Sequence, residues 1–209
     1  MAFPSITDFK EKLIDGGARA SLFEMRITWP LGVAAIAGPQ TGSAMGITRF
    51  HCRMSEIPGN QHNPIIVKYA GREIKYAGQR VFNNLNITVL NDEGFKVRRG
   101  LEAWFEAMNT RESNIAQLTD ATGIGGYGGT GTVIQYDKQG KKVRTYSFVD
   151  LFPVTLAPIP LDWSNDAMVQ EYTCEFAYQY WIPGGEDAFL DPSGRLSPSI
   201  QSAILNTVT

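Results

Sequence analysis

The sequence has 209 residues, of which 43% are apolar and 19% charged, and its formal net charge is −2 at pH 7. That is enough chain for one substantial domain with a real core, and it excludes a disordered polypeptide. The charge balance lacks the basic excess of a protein that grips nucleic-acid phosphates, and no apolar run reaches the roughly 18 residues needed to cross a bilayer.

The first residues, "MAFPSITDFKEKL", hold neither a basic leader nor an apolar stretch, so no secretory signal is expected. Residues 5–15 read as a short helix. Ser5 or Thr7 can cap it, Phe9 and Leu13 share a face, and Gly16-Gly17 stops it. Residues 21–29 predict a strand carrying Leu22, Met25, Ile27 and Trp29, ended by Pro30. The small, glycine-rich stretch 31–46 reads as a long loop. Residues 47–55, "ITRFHCRMS", alternate, with Phe50, Cys52 and Met54 on one side and Arg49, His51 and Arg53 on the other.

Residues 65–78 form a hairpin candidate in which Lys-Tyr-Ala-Gly occurs twice, the first copy placing Gly71 at the turn. In "LNITVL", Leu85, Ile87 and Val89 oppose Asn84, Asn86 and Thr88. The clearest helix is "DEGFKVRRGLEAWFEAMN". Asp92 can cap it, and Val97, Leu101, Trp104, Phe105 and Met108 make one stripe. Lys96, Arg98, Arg99, Glu102 and Glu106 lie mostly away from that stripe. An interior Gly94 or Gly100 weakens such a helix by about 1 kcal/mol each.

Residues 121–133, "ATGIGGYGGTGTV", match the dinucleotide pattern G-x-G-x-x-G twice, at Gly123/Gly125/Gly128 and Gly126/Gly128/Gly131. A phosphate cradle needs a strand before it and a helix start after it. Here a helix precedes and the strand "TVIQY" follows, so the segment reads as a flexible, exposed connection. Two strands around a turn at Asp137–Gly140 come next. Residues 169–181 predict the best strand, with Tyr172, Cys174, Phe176, Tyr178 and Tyr180 on one face and Glu171, Thr173, Glu175 and Gln179 on the other. Pro183-Gly184-Gly185 breaks that pattern, and the polar tail ends in a candidate helix, "SPSIQSAILNTV". The fold class expected is mainly β (α+β): an antiparallel sandwich or partly closed barrel with one packed amphipathic helix.

Catalytic spacings are missing from the sequence: there is no G-x-S-x-G, H-E-x-x-H or Cys-x-x-Cys. His51 and His62 read as surface histidines. Cys52 and Cys174 fit no metal or redox spacing and read as buried thiols in a reducing compartment. Glu171 and Glu175 share a face, as a glycosidase pair could, but acidic pairs on a solvated strand face are common and nothing nearby suggests a sugar-binding cleft. No catalytic, cofactor-binding or metal site is assigned.

Three segments together resemble the tail tube proteins of contractile-tailed bacteriophages. They are "ARASLFEMRITWP", "GREIKYAGQRVFNNLNITVLNDEGFKVRRGLEAWFEAMN" and "DLFPVTLAPIPLDWSNDAMVQEYTCEFAYQYW". The resemblance implies an N-terminal arm at 1–16, a tube domain at 17–182 and a C-terminal extension at 183–209. It also implies a structural protein without a cofactor. Hexameric rings would stack into a tube, with inner strands joining into one β-barrel around a lumen. A contractile sheath would surround the tube, baseplate and terminator proteins would end it, and a tape-measure protein would fill it until double-stranded DNA passes. Membrane insertion is not expected. The family is similar to the tubes of secretion systems and bacteriocins, and this chain's loop at 32–46 and its tail are longer than in shorter members.

The polar faces of such strands suit a water-filled lumen, because a dense basic lining would hold DNA back. Candidates for that lining are Asn84, Asn86, Thr88, Glu171, Thr173 and Glu175. Arg49 and Arg53 fit there if those glutamates neutralise them. The hairpin, with Lys68, Tyr69, Arg72, Glu73 and Lys75, is the candidate contact between rings. A related injection device, a monomeric β-sandwich that binds a ligand, and a nucleotide-using enzyme stand as the alternatives.

Overall fold

Alternating apolar and polar residues favour strands, and nine are present in the computed structural model, which describes residues 5–13, 16–37, 51–118, 126–164 and 168–184. In chain order the elements are α1 (Ile6–Lys12), β1 (Phe23–Thr28), α2 (Leu31–Ala37), β2 (Cys52–Met54), β3 (Gln61–Tyr69), β4 (Arg72–Val81), β5 (Leu85–Leu90), α3 (Lys96–Met108), β6 (Gly129–Tyr136), β7 (Lys142–Leu156), β8 (Glu171–Ala177) and β9 (Tyr180–Gly184). Every strand pairing is antiparallel. Seven strands form one bent sheet in the order β1-β6-β7-β8-β5-β2, with β9 joining β7, while β3 and β4 stand apart as a two-stranded ribbon.

Strand β7 makes the bend. Its residues up to Leu151 pair with β6, and Phe152 onward pair with β8. The change falls beside Asp150, whose φ of 52° lies in the left-handed region that non-glycine residues rarely adopt. The chain crosses the same corner a second time between β8 and β9, where the Gln179 N–H donates to the Val149 carbonyl at 3.1 Å. The aromatic run 169–181 is therefore two strands and not one. Phe176 faces the core, but after the corner Tyr180 is exposed and Trp181 turns in against Tyr146, ring centroids 5.6 Å apart. Pro183 lies within β9, where it costs little because this is an edge strand and proline has no N–H to leave unpaired.

Two further expectations are corrected. Residues 31–37, read as loop, form α2. Pro30 ends β1, and its carbonyl accepts the Ala34 N–H at 3.0 Å, opening a helix whose run of alanines has high helical propensity. The glycine segment is not simply an exposed connection. Gly126 is buried, and Gly129 and Gly131 lie in β6. A Cβ on Gly129 would come within 2.6 Å of the Thr28 carbonyl oxygen, and one on Gly131 within 2.9 Å of Leu151. These glycines let β6 press against β1, α3 and β7.

Helix α3 closes the core. Val97, Gly100, Leu101, Trp104 and Ala107 are buried, whereas Phe105 and Met108 are half-buried. Trp104 packs 4.8 Å from Trp29 and 6.3 Å from Phe176, and its indole N–H donates to the Tyr127 carbonyl at 2.8 Å. That bond spares the buried indole an unpaired donor. Asp92 acts as expected, accepting the Lys96 N–H at 3.0 Å. Gly94 lies in the turn before the helix and does not weaken its interior. Arg98 does not lie away from the packed side. It donates to the Ala157 carbonyl at 2.9 Å, pairs with Glu102 at 3.1 Å, and sits 5.0 Å over the Tyr172 ring.

Of the expected strand at 47–55, the described residues hold β2, Cys52–Met54. A register shift pairs Cys52 with Val89 but Met54 with Thr88, which breaks the alternation and leaves Met54 exposed. Arg49, Phe50 and the candidate C-terminal helix lie outside the described residues. Among those described, no helix is long and apolar enough to cross a membrane.

Candidate functional site: a polar sheet face and a projecting hairpin

The pairing of β5 with β8 sets Asn86 opposite Glu175, Thr88 opposite Thr173, and Leu90 opposite Glu171. Side chains alternate across a strand, so these polar residues share one face. Leu85, Ile87, Val89, Tyr172, Cys174 and Phe176 take the other and form core. The six polar residues singled out from the sequence thus come together on or beside one sheet face. Asn84, just before β5, donates from Nδ2 to Glu175 Oε1 at 2.8 Å. Arg53 reaches across from β2 and pairs with Glu171. Thr88 is 7% exposed, covered beside β2, and offers little surface to anything passing over the sheet.

The same face holds Thr155, opposite Glu175, which the sequence reading missed. A register shift between Pro153 and Thr155 destroys the period-two signal that would have revealed it. Glu171, Glu175 and Arg53 together contribute two negative charges and one positive. A glycosidase role does not fit. Four strand residues separate the two glutamates by about 13 Å, beyond the roughly 5–9.5 Å that such mechanisms use. Each is also already engaged, one by Arg53 and one by Asn84.

The hairpin β3–β4 turns through Ala70 (φ 49°) and Gly71 (φ 75°). Two successive positive φ values mark the tight turn whose twist matches the flanking strands. Its register, Ile65↔Tyr76, Val67↔Ile74 and Tyr69↔Arg72, puts an apolar row on one face, with Arg72 at the end. Ile66↔Lys75 and Lys68↔Glu73 occupy the other, where Lys68 Nζ lies 3.9 Å from Glu73 Oε1. The five residues proposed for this hairpin therefore divide between two unlike faces. Near the base, Gly78 sits where a Cβ would come within 2.1 Å of the Asn63 carbonyl oxygen, so the chain bulges there. Nine residues of β3 span about 30 Å. Neither strand packs substantially on another described element, and Ile65, Ile66, Val67, Tyr69, Ile74 and Tyr76 are exposed.

A second exposed apolar surface escaped the sequence reading, because it lies in a loop and has no period. Between β7 and β8, Leu161, Trp163, Met168 and Val169 stand in solvent, Trp163 fully. Asp162 Oδ1 accepts the Ser164 N–H at 2.9 Å and its hydroxyl at 2.7 Å, which holds the Asp162 carboxyl below its ordinary range.

The cysteines behave differently from each other. Cys174 is fully buried, and burial pushes its thiol far up. Cys52 is half-buried, and burial takes it to about 12. After the glycine segment comes β6, with no helix N-terminus to hold a phosphate. Among the described residues no group of three or more His, Cys, Asp or Glu is placed to hold a metal.

The profile of the family described as "Phage tail tube protein" matches residues 18–183. The chain belongs to the phage tail tube protein family. The tail tube protein gp19 of Enterobacteria phage T4 is 26% identical to it over 133 residues, covering 63% of this chain and 79% of that one. The tail tube protein of Serratia phage KSP90 is 24% identical over 177 residues, covering 83% and 94%. The fold matches a chain of the PVC extracellular contractile injection system sheath-tube complex, with a TM-score of 0.55, 11% identity, and coverage of 88% and 99%. A chain of the anti-feeding prophage baseplate matches with a TM-score of 0.52, 12% identity, and coverage of 90% and 99%. At such identities these structures bear on the fold alone, and it is the same mainly antiparallel architecture. As a tail tube protein, the chain is a structural component of the virion tail, a subunit of the tube.

Proposed function

We propose that six copies of this tail tube protein close into a ring, that the rings stack into a hollow tube, and that viral DNA passes through its lumen. One observation carries the reading: the sheet β7-β8-β5-β2 has a core face and, directly behind it, the polar face of Asn84, Asn86, Glu171, Thr173 and Glu175. An exposed sheet end presents unpaired backbone groups, and heterologous pairing with the next copy closes a ring without leaving an edge. The polar face then lines water, and its small negative balance gives DNA phosphates nothing to hold. Thr88 contributes least, being covered within its own subunit.

The hairpin, through Lys68, Tyr69, Arg72, Glu73 and Lys75, joins one ring to the next. The body carrying these surfaces is 17–182, flanked by the 1–16 arm and the 183–209 extension. A contractile sheath surrounds the tube, with baseplate and terminator proteins at its ends and a tape-measure protein inside before ejection. The role is structural, without catalysis. The solved sheath-tube and baseplate complexes of similar fold support the surroundings in kind. Their being injection devices keeps a second reading, a tube of that class. A sheath gene beside this one and a capsid gene nearby decide for the phage.

Electron microscopy of the purified protein tests the assembly. Stacked six-fold rings with an open channel are expected. A monodisperse monomer at high concentration, by size exclusion and by microscopy, overturns the proposal in favour of a monomeric β-sandwich.

A further inference from the structure

We infer that the apolar face of the β3–β4 hairpin docks on the exposed Leu161, Trp163, Met168 and Val169 of a second copy, in the neighbouring ring. This rests on the tube reading and names the surface that receives the hairpin. A stack of identical rings that all point one way cannot pair a surface with itself across the ring boundary. It needs two different, complementary surfaces on each copy. The described residues offer such a pair. The hairpin's row of Ile65, Val67, Tyr69, Ile74 and Tyr76 is exposed, and among the described residues no element beyond the hairpin packs substantially on it. A two-stranded ribbon of this kind is marginal in water by itself, so its apolar face calls for a partner. As a group, Leu161, Trp163, Met168 and Val169 are more exposed still, and with Ile159 and Pro160 they border an open cleft of about 560 Å³.

Charge assigns the two surfaces to each other. On the hairpin's apolar face the free charge among the described residues is Arg72; Lys68, Lys75 and Glu73 lie on the other face, and Arg80 is held at the base by Asn60 and beside Trp181. Residues 157–170 contain no lysine or arginine, and the described part presents Asp162. Its turn with Ser164 fixes that carboxylate beside Trp163. Arg72 lies on the hairpin's apolar face, next to Tyr69. An arginine meeting a tryptophan and a carboxylate at once gains both the ring-face attraction and a charge-assisted bond. Aromatic and arginine anchors of this type carry most of the binding energy in protein interfaces.

The test uses assembled tubes of full-length protein carrying Val67→Cys with Met168→Cys, which leaves the aromatic and charged anchors intact. Under mild oxidation these should give disulfide-linked ladders on a non-reducing gel that run beyond six subunits. Each single variant should give none, which controls for Cys52 and Cys174. Lys68→Cys with Met168→Cys, from the opposite hairpin face, should link at least about tenfold less. Normal tubes without the Val67–Met168 ladder, or a ladder that stops at six, overturn the docking while leaving the tube reading in place. Absence of tubes from the unmodified protein overturns both.

Charge exchange is the second arm. Arg72→Asp and Asp162→Arg should each shorten tubes about tenfold, and the two together should recover at least half the length. A combined defect as large as the two multiplied sinks the pairing. So does a Trp163→Ala protein that forms full-length tubes but fails to bind sheath protein, since the loop would then face the sheath.

Discussion

Strand β5 and the hairpin strand β3 share a pattern and meet opposite fates. Leu85, Ile87 and Val89 are 1–2% exposed, while Ile65, Val67 and Tyr69, also at every second position, are 46–73% exposed. The difference lies in what stands opposite. Strand β5 has β8 on one side, β2 on the other, and Trp104 and Phe176 in the core it faces. Among the described residues the hairpin has its own second strand and little else. An alternating run therefore declares which side is apolar but not whether one chain suffices to cover it. Where one chain does not, the uncovered face points to assembly.

This contrast can be broken experimentally, starting with the largest effect. Phe176→Ala removes a fully buried ring beside Trp104 and should cost about 3–5 kcal/mol, seen as a large fall in the denaturation midpoint and in soluble yield. A loss below about 1 kcal/mol would show that the core relaxes around the gap. Gly131→Ala places a methyl group against Leu151 and Met25 and should cost about 1–3 kcal/mol by the same measurement. An unchanged midpoint would mean that β6 is free to shift.

Substitutions on the exposed surfaces should leave the subunit within about 0.5 kcal/mol and act on assembly or passage instead. Glu175→Lys turns the balance of Arg53, Glu171 and residue 175 from −1 to +1. Tubes should form, yet DNA ejection from assembled virions should slow, and the defect should ease as salt rises because phosphate attraction is screened. Ejection at the normal rate at every salt concentration would place this face away from the lumen. Smallest of all on the subunit, Arg72→Glu combined with Glu73→Arg keeps the hairpin's net charge while moving each charge to the other face. Melting should not change, while sedimentation should show rings that stack poorly. Tubes of normal length would remove the hairpin from the ring boundary.

Much of the polar face could be read in advance, since "LNITVL" and "EYTCEF" are short, regular strands whose two faces differ at every position but Leu90. Thr155 was hidden by the bulge after Pro153, and the burial of Thr88 by a β2 strand of three residues. The hairpin turn at Gly71 was legible because glycine accepts a positive φ without cost; that Ala70 takes one too was not. The exposed loop around Trp163 was not. An apolar residue in a loop gives no sign of whether it tucks under or stands out.

Local rules, then, determined the strands, the stripe of α3, the hairpin turn and the strand that follows the glycine segment where a phosphate cradle needs a helix start. Each of these depends on residues within a few positions of one another. Tertiary structure decided the rest. It split the 169–181 run at the corner where β7 passes between the two halves of the sheet, and it made Gly129 and Gly131 packing residues in place of loop residues. It also drew Arg53 onto Glu171 across 118 positions of sequence. Those outcomes depend on which distant backbone comes close enough to exclude a side chain, compensate a charge or accept a hydrogen bond, and no short window of sequence contains that partner.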